Sequence, residues 1–356
     1  MKKLMFLVAT SALLFACSES DDPVPVAQEN GVTFEISAVN DMKDGSATRT
    51  PIYSQEATQH VTQVMVHAFK SNGTDYLYSK SFTISGWTDG TTFKRYAVGD
   101  SEKLTQGDYK FLAVGRPASD TYTISTLTAD TTPFGSVQAS VAASGNETEI
   151  FSGWSQATVT DQGGRVSIEM TRAVAGVLGY FKNVPQTING TTVQFLRLSL
   201  TDTNQAVNLS NNTAINGATT SYNLIDIDFT NPAQSVGQYV YTGNDLSGQG
   251  VVKVANSQLY GSYLLPVSGV QMTLGLYDAG GNALKTWVVK DSNGDATFNI
   301  LANHFYSLGM KAQAGNVNGG TPDPGDDDAP IDLLTDQSIV ISISPAWTLI
   351  HNLVIQ

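Results

Sequence analysis

Apolar and polar residues alternate with a period of two in almost every readable segment of this chain beyond residue 30. In the clearest example Val32, Phe34, Ile36 and Ala38 face one way, and a polar residue separates each from the next. No window carries the 3.6-residue apolar stripe of a helix. This periodicity restricts the chain to strands that each bury one face.

Turn signals divide the alternating segments. Asn-Gly pairs stand at 72–73 and 293–294, where tight hairpin turns favour them. The strands predicted in this way span residues 61–69, 76–84, 109–114, 158–168, 193–200, 222–229, 250–254, 262–267, 270–277, 284–290 and 296–301. Short strands separated by turns predict an all-β fold of the sandwich type.

The composition agrees with this prediction and narrows the possible partners. Hydrophobic residues make up 41% of the chain, charged residues only 14%, and there are 32 glycines, a bias typical of strands and turns. A formal net charge of −13 repels phosphate backbones, so we expect no nucleic-acid partner. With 356 residues the chain is long enough for two domains.

Two changes in composition predict the domain boundaries. Residues 175–190 are rich in glycine and weakly polar, and we place a junction in or near them, so that the predicted sandwiches span 50–180 and 181–314. Residues 315–330 (GNVNGGTPDPGDDDAP) are rich in glycine, proline and aspartate and predict a linker. Apolar residues return in the terminal segment 331–356.

This terminal segment predicts two strongly apolar strands. The first carries Ile339, Ile341 and Ile343 on one face. The apolar face of the second is formed by Trp347, Leu349, Leu353 and Ile355. Exposed strands of this kind are prone to aggregate, so each is expected to pair with another strand. Two partners are open: an edge of the chain's own domain, or a groove in another molecule.

The N-terminus has the layout of a secretory signal. Two lysines precede an apolar stretch, 4–15, that is too short to span a bilayer, and Ala16 stands before the single cysteine, Cys17. We therefore predict a signal peptide over 1–16 and a lipoprotein whose Cys17 thiol carries the acyl chains that hold it in a membrane. The alternative is an ordinary signal peptide with an incidental cysteine.

A search of the sequence for catalytic groups finds no constellation. The four histidines lie at no metal-ligand spacing, and the sequence has no mature-chain cysteine and no Gly-x-Ser-x-Gly motif. The loop 291–295 (DSNGD) alternates oxygen ligands as calcium loops do, but Ala302 stands where the twelfth ligand belongs, which favours a hairpin turn. The prediction is a protein that is not an enzyme and holds no cofactor and no metal.

Three short segments carry a family resemblance: 109–115 (YKFLAVG), 170–177 (MTRAVAGV) and 302–310 (ANHFYSLGM). With the two termini, they make the chain resemble the fimbrillin (type V pilin) families of Bacteroidetes. The acidic stretch 18–22 (SESDD) is similar to the signal that exports lipoproteins of that phylum to the outer face of the outer membrane. The resemblance implies two tandem transthyretin-like β-sandwich domains, a C-terminal extension of one or two β-strands, and polymerisation by strand exchange.

The resemblance also gives Arg49 a role. It lies in a polar stretch, 47–51 (ATRTP), at a position where an arginine-specific protease cuts members of the family. A cut between Arg49 and Thr50 would remove the lipidated propeptide 17–49 with its strand, 32–39, and leave an open apolar groove. The C-terminal strand of a neighbour would fill that groove and build a head-to-tail polymer. The alternative is that Arg49 is a plain surface arginine and the precursor stays on the membrane.

Together these expectations describe a structural subunit of a fimbria that serves adhesion and colonisation. Its partners would be other fimbrial subunits, the protease during maturation, and the outer membrane through the lipid of the precursor. It would lie on the surface of the outer membrane and, after processing, in the fimbrium. The alternative is a non-polymerising surface lipoprotein that acts as a fimbrial anchor, a tip adhesin or a glycan-binding module.

Overall fold

The computed structural model describes a chain whose regular structure is β. The described residues are 31–38, 61–88, 91, 93–143, 147–215, 222–230, 233–235, 238–240, 257–309 and 329–344. They contain no α-helix, and two 3₁₀ turns occur among them, at Asp100–Glu102 and Phe134–Ser136. The all-β prediction is therefore confirmed.

The strands fall into an earlier and a later group along the chain. The earlier strands are β1 (Val32–Ala38), β2 (Gln63–Ser71), β3 (Tyr76–Thr83), β4 (Phe93–Ala97), β5 (Gly107–Arg116), β6 (Thr123–Ile124), β7 (Gln138–Ser140), β8 (Phe151–Val159) and β9 (Gly164–Arg172). The later strands are β10 (Ala175–Lys182), β11 (Val184–Pro185), β12 (Thr187–Ile188), β13 (Thr191–Thr192), β14 (Phe195–Leu200), β15 (Ala206–Asn208), β16 (Thr213–Ala214), β17 (Tyr222–Asp228), β18 (Ala233–Ser235), β19 (Gln238–Val240), β20 (Ser257–Leu264), β21 (Val267–Val270), β22 (Met272–Tyr277), β23 (Ala283–Lys290), β24 (Phe298–Ile300), β25 (Phe305–Leu308), β26 (Ile331–Asp332) and β27 (Ile339–Ser344).

A first sheet of seven strands has the order β3-β2-β5-β8-β9-β1-β4. Neighbouring strands within this sheet are antiparallel, except for β1 and β9, which run parallel to each other. Alternation puts one face of each strand into a core whose large members are Phe34, Ile36, Phe82, Trp87, Tyr109, Phe111, Phe151 and Met170. The earliest of the described strands, β1, therefore lies inside the sheet, between β9 and the edge strand β4.

A second sheet of nine strands has the order β17-β14-β22-β23-β27-β25-β10-β20, with β26 paired to β10. Its core contains Phe181, Leu196, Leu274, Trp287, Tyr306 and Ile341, among others. Two of the three segments that carry the resemblance, 170–177 and 302–310, meet here, because β25 runs parallel to β10 and the Asn303 amide donates to the Val174 carbonyl at 2.9 Å. Both motifs thus serve to join the second sheet to the end of the first.

A small sheet, β16-β15-β7-β6, connects chain segments from both sides of residue 180. In it Gln138–Ser140 pairs with Ala206–Asn208, and a third apolar cluster contains residues from both sides, including Leu112, Val137, Val207 and Leu265. The chain crosses from the first sheet to the second at Ala173 and Val174, which are both fully buried. The division at 180 and 181 stays a prediction.

Most predicted strands are confirmed within a few residues, and two are wrong. The segment 262–267 joins the end of β20, at Leu264, to the start of β21, at Val267. The segment 158–168 is not one strand, because β8 ends at Val159, a turn follows, and β9 begins at Gly164. Gly163 has a φ of +80° in that turn, a conformation that glycine adopts readily and other residues do not. Residues 160–165 (TDQGGR) contain no apolar residue and include a Gly-Gly pair, so the strand prediction overlooked a turn signal that was present in the sequence. The predicted strand 250–254 lies outside the described residues.

Candidate functional site

The predicted removable strand forms β1, and it is paired along its length on both sides. Val32–Ala38 runs parallel to Gly164–Met170 of β9 over seven residue pairs. On its other side Thr33–Ser37 runs antiparallel to β4, in a register that places Glu35 opposite Arg95. We call the space that β1 occupies between β9 and β4 the β1 groove. Whether β1 leaves this groove stays a prediction.

The inner face of β1 supplies part of the first core. Val32, Phe34, Ile36 and Ala38 are each no more than 2% exposed. The ring of Phe34 lies 5.3 Å from the ring of Phe82 and 5.3 Å from the ring of Phe111, both in tilted or edge-on geometry. Contacts of this kind add to the hydrophobic gain from burial. The β1 groove is therefore an apolar site with a deep aromatic position at its centre.

The outer face of β1 carries a charge contact that the alternation did not predict. The Glu35 carboxylate accepts a hydrogen bond of 2.9 Å from Nε of Arg95 on β4, and it also bonds the guanidinium of Arg165 on β9. The hydrogen bond from Arg165, followed by that from Arg95, holds the pKa of Glu35 below its usual range. Among the described residues, Glu35 is the one carboxylate that either arginine contacts as an ion pair.

One end of the β1 groove requires close approach of backbones. A Cβ placed on Gly163 would lie 2.1 Å from the carbonyl oxygen of Gly31, and one placed on Gly31 would lie 3.0 Å from that of Val98. Position 163 therefore excludes a side chain, and a side chain at position 31 would make a tight contact with the Val98 carbonyl.

The first predicted donor strand lies in the chain's own second sheet. β27 is antiparallel to β25, where Leu308 faces Ile341, and parallel to β23, where Val289 faces Ile339. Ile339 and Ile341 are 1% and 0% exposed, whereas Ile343 is 36% exposed at the end of the strand. This is the arrangement in which the tail returns to its own domain. Donation to a neighbour stays a prediction.

Several predicted site residues lie outside the described residues. These are the lipidation residue Cys17, the processing pair Arg49 and Thr50, and the second donor strand with Trp347, Leu349, Leu353 and Ile355. Lipidation, cleavage and donation by that strand therefore stay predictions. No helix in the described part of the chain is long and apolar enough to cross a membrane.

The calcium-like loop forms a turn whose oxygens serve its own backbone. Oδ1 of Asp291 accepts hydrogen bonds from the amides of Asn293 and Asp295, each at 2.9 Å, and Gly294 has a φ of +89°. Within the described ranges, no group of three or more His, Cys, Asp or Glu side chains is arranged to hold a metal ion. This geometry favours the hairpin interpretation of the loop.

A second feature that the sequence did not predict is a cavity of about 250 Å³ on the outer side of the first sheet. His67 lines it and is 5% exposed. Its Nδ1 lies 2.7 Å from Oγ of Ser81, which in turn lies 2.8 Å from the hydroxyl of Tyr78. Burial lowers the pKa of His67 to about 4, and the positive charge of Arg116 acts in the same direction. The imidazole is therefore neutral at pH 7.

His67 is expected to make the protein less stable as the pH falls. Its folded pKa of about 4 lies below the ordinary value of 6.5, so the unfolded chain binds the extra proton first. The contribution of His67 to the free energy of unfolding is complete above pH 6.5. It is lost as the pH falls from about 6.5 to 4, with a total on the order of 3 kcal/mol. Urea unfolding of the native protein and of His67→Gln across this range measures it. A variant that keeps the full slope would show that His67 does not cause it.

Comparisons with solved structures give weak similarities. The fimbrial anchor protein Mfa2 from Porphyromonas gingivalis is 12% identical, with a TM-score of 0.44, over 78% of this chain and 89% of that one. A proposed adhesin from Bacteroides thetaiotaomicron is 12% identical, with a TM-score of 0.47, over 78% and 90%. A proposed cell adhesion protein from Parabacteroides distasonis is 12% identical, with a TM-score of 0.46, over 88% and 96%. Likenesses of this size carry no argument about function.

The comparison with protein families gives a match over most of the chain. No curated protein sequence matches the chain. The profile of one protein family matches it over residues 23–351, which include both sheets, the β1 groove and β27. The description of that family agrees with the resemblance carried by the motifs at 170–177 and 302–310. The chain belongs to the Mfa2 family, the fimbrillin-A associated anchor proteins Mfa1 and Mfa2.

Proposed function

We propose that this chain is the membrane-held anchor of a fimbria. Cys17 carries the lipid that keeps it on the outer membrane, β1 remains in its own groove, and residues 345–356 pass into the groove of the first subunit of the fimbria. The observation that carries the proposal is the match to a family described as anchor proteins, and the pairing of β1 with strands on both sides fits it. A subunit whose groove is filled by its own strand accepts no strand from another molecule, so it can stand only at one end of a fimbria.

The family supports this placement at a coarser level. Its members are fimbria-associated proteins of the cell surface rather than enzymes, and association with other fimbrial subunits follows from that. The position of β27 narrows the choice of donor strand. Because Ile339 and Ile341 already fill the second core, their release would open it. We therefore take residues 345–356, which carry Trp347, Leu349, Leu353 and Ile355, as the proposed donor strand.

A second candidate function is a shaft subunit. In that case cleavage after Arg49 removes β1 together with Cys17, and a neighbour's C-terminal strand takes its place in a head-to-tail polymer. The feature that favours it is β1 itself, a complete apolar strand that lies upstream of Arg49 and is joined to the rest of the first sheet through residues 39–60. Adhesion and colonisation would follow from either position in a fimbria.

The mass of the surface-exposed form distinguishes the two functions. For an anchor, we expect a chain that begins at a lipidated Cys17, with Arg49 still joined to Thr50. Arg49→Ala should then change neither the mass nor the attachment of fimbriae, and Cys17→Ser should release the protein from the membrane. A mature chain that begins at Thr50 would contradict the anchor and support the shaft subunit. Mass spectrometry of surface-shaved and of detergent-extracted protein provides the readout.

A further inference from the structure

We propose that the β1 groove selects its strand by charge as well as by apolar fit. It takes a strand with a carboxylate at the position of Glu35, between two large apolar residues, and it excludes the C-terminal segments of this chain. A second copy of the chain is therefore not the donor for this groove. The inference rests on the proposed anchor function, in which β1 is the strand that this groove retains.

Two arginines flank the groove at fixed positions. Arg95 and Arg165 belong to the two strands that flank β1, so both remain at the rim of the groove whichever strand lies between them. They are 41% and 65% exposed, whereas the Glu35 side chain is 12% exposed. A strand without an acidic residue at this position leaves two positive charges beside each other. Like charges across neighbouring strands are unfavourable, and the register of the donor is affected as well.

The groove also demands an apolar pattern. The large buried residues of β1 are Val32, Phe34 and Ile36, and Phe34 lies against the rings of Phe82 and Phe111. The acidic position lies between the last two of these. A replacement strand thus needs three apolar residues at alternate positions with an acidic residue before the third.

The chain's own tail does not supply this pattern. No Asp or Glu follows Asp336. Three alternating isoleucines occur at 339–343, but they place Ser342 at the acidic position, and Ile339 and Ile341 are already buried in the second core.

The second half of the tail fails for a different reason. The odd-numbered positions continue the alternation of Ile339, Ile341 and Ile343, and any three consecutive ones from 345 to 355 include Pro345 or His351. Any three consecutive even-numbered positions from 346 to 356 include Thr348 or Asn352. A polar side chain at a buried position lacks a partner. The remaining triplet, 345–349, begins with the proline and places Thr348 at the position of Glu35, so it too lacks the carboxylate. The tail is thus suited to another protein's groove and not to this one.

Competition between strands during refolding tests the proposal. In the full-length, unlipidated chain, a sequence-specific protease site replaces residues 47–51. The protein is cut at this site and unfolded in urea. It is then refolded with an excess of one synthetic peptide. The released N-terminal fragment serves as the internal competitor. The peptides are residues 30–39, the same sequence with Glu35→Gln or Glu35→Lys, and the two tail sequences 337–344 and 345–356. Native mass spectrometry then counts the chains that hold peptide.

Occupancy of the β1 groove is expected to follow the charge that each peptide carries at the position of Glu35. The 30–39 peptide should compete with the fragment, Glu35→Gln should lower occupancy by roughly three- to tenfold, and Glu35→Lys by more than tenfold. Neither tail peptide should bind measurably. In the double variant Arg95→Glu, Arg165→Glu the preference should reverse in favour of the lysine peptide, which a purely apolar groove would not produce.

Three results would overturn the proposal. These are a tail peptide that competes as well as 30–39, a glutamate preference that persists in the double variant, or a groove that takes none of the peptides. The anchor function is tested separately by the N-terminus of the surface form, so either conclusion can fail while the other stands.

Discussion

Ile341→Asp is expected to lower the free energy of unfolding of the second sheet by more than about 4 kcal/mol in the isolated monomer. Ile341 is fully buried, and its strand lies between β25 and β23. The variant removes a large apolar side chain from the core and places an unpaired carboxyl group there. Urea unfolding, followed by hydrogen exchange in peptides from β25 and β23, measures the loss and locates it.

Val340→Asp is the matched control. It introduces the same carboxylate one residue away on the same strand, but Val340 is 49% exposed, so the expected change is within about 0.5 kcal/mol. The comparison also shows where β27 lies in solution. If it left its own sheet and completed a neighbour, Ile341→Asp would weaken only the assembled form, and the monomer would unfold like the native protein. That outcome would contradict the assignment of β27 to its own sheet.

The sequence predicts the strands of this fold well because burial of one face leaves a local signal. The alternation in β1, β2, β14 and β22 could be read directly, and the predicted bounds differ from the observed ones by only a few residues. The Asn72-Gly73 turn is likewise a local feature, with Gly73 at a φ of +94°. Such signals need only the identity of adjacent residues.

Pairing between distant strands could not be predicted in the same way. The parallel register between β1 and β9, and the pairing of Gln138–Ser140 with Ala206–Asn208, join segments that no local pattern relates. For the tail, periodicity gave a strand at 339–343 but left open which sheet it would join. The partner and the register of a strand depend on which other strand edges are free in the folded protein. Period-two alternation carries no information about those edges.

The same limit applies to the candidate site. Alternation placed Val32, Phe34 and Ile36 on the buried face of one strand, as observed. It also placed Glu35 on the opposite face. The contacts of Glu35 are with Arg95, 60 residues away, and with Arg165, 130 residues away, and those require the registers of two ladders. One weak signal was available, since an isolated acidic residue in an otherwise uncharged strand invites a search for a cationic partner.

Phe34→Ala is expected to lower the free energy of unfolding of the first sheet by roughly 3–5 kcal/mol. Phe34 is fully buried, and its ring contacts those of Phe82 and Phe111 from the middle of β1. The effect should extend to β4, because among the described strands β4 pairs with β1 alone in this sheet. Urea unfolding measures the loss, and hydrogen exchange in peptides from β1 and β4 should show that both strands open together.

Phe93→Ala separates this effect from a general loss of aromatic surface. Phe93 lies on the neighbouring strand β4 and is 54% exposed, so its truncation should change stability by no more than about 0.5 kcal/mol. The two variants also report on how firmly β1 is held. After a cut between residues 49 and 50, the native fragment should stay bound through gel filtration, and the Phe34→Ala fragment should dissociate. If both fragments stayed bound equally, the pocket against Phe82 and Phe111 would not be what retains β1, and the apolar half of the groove's selectivity would have to lie at Val32 and Ile36.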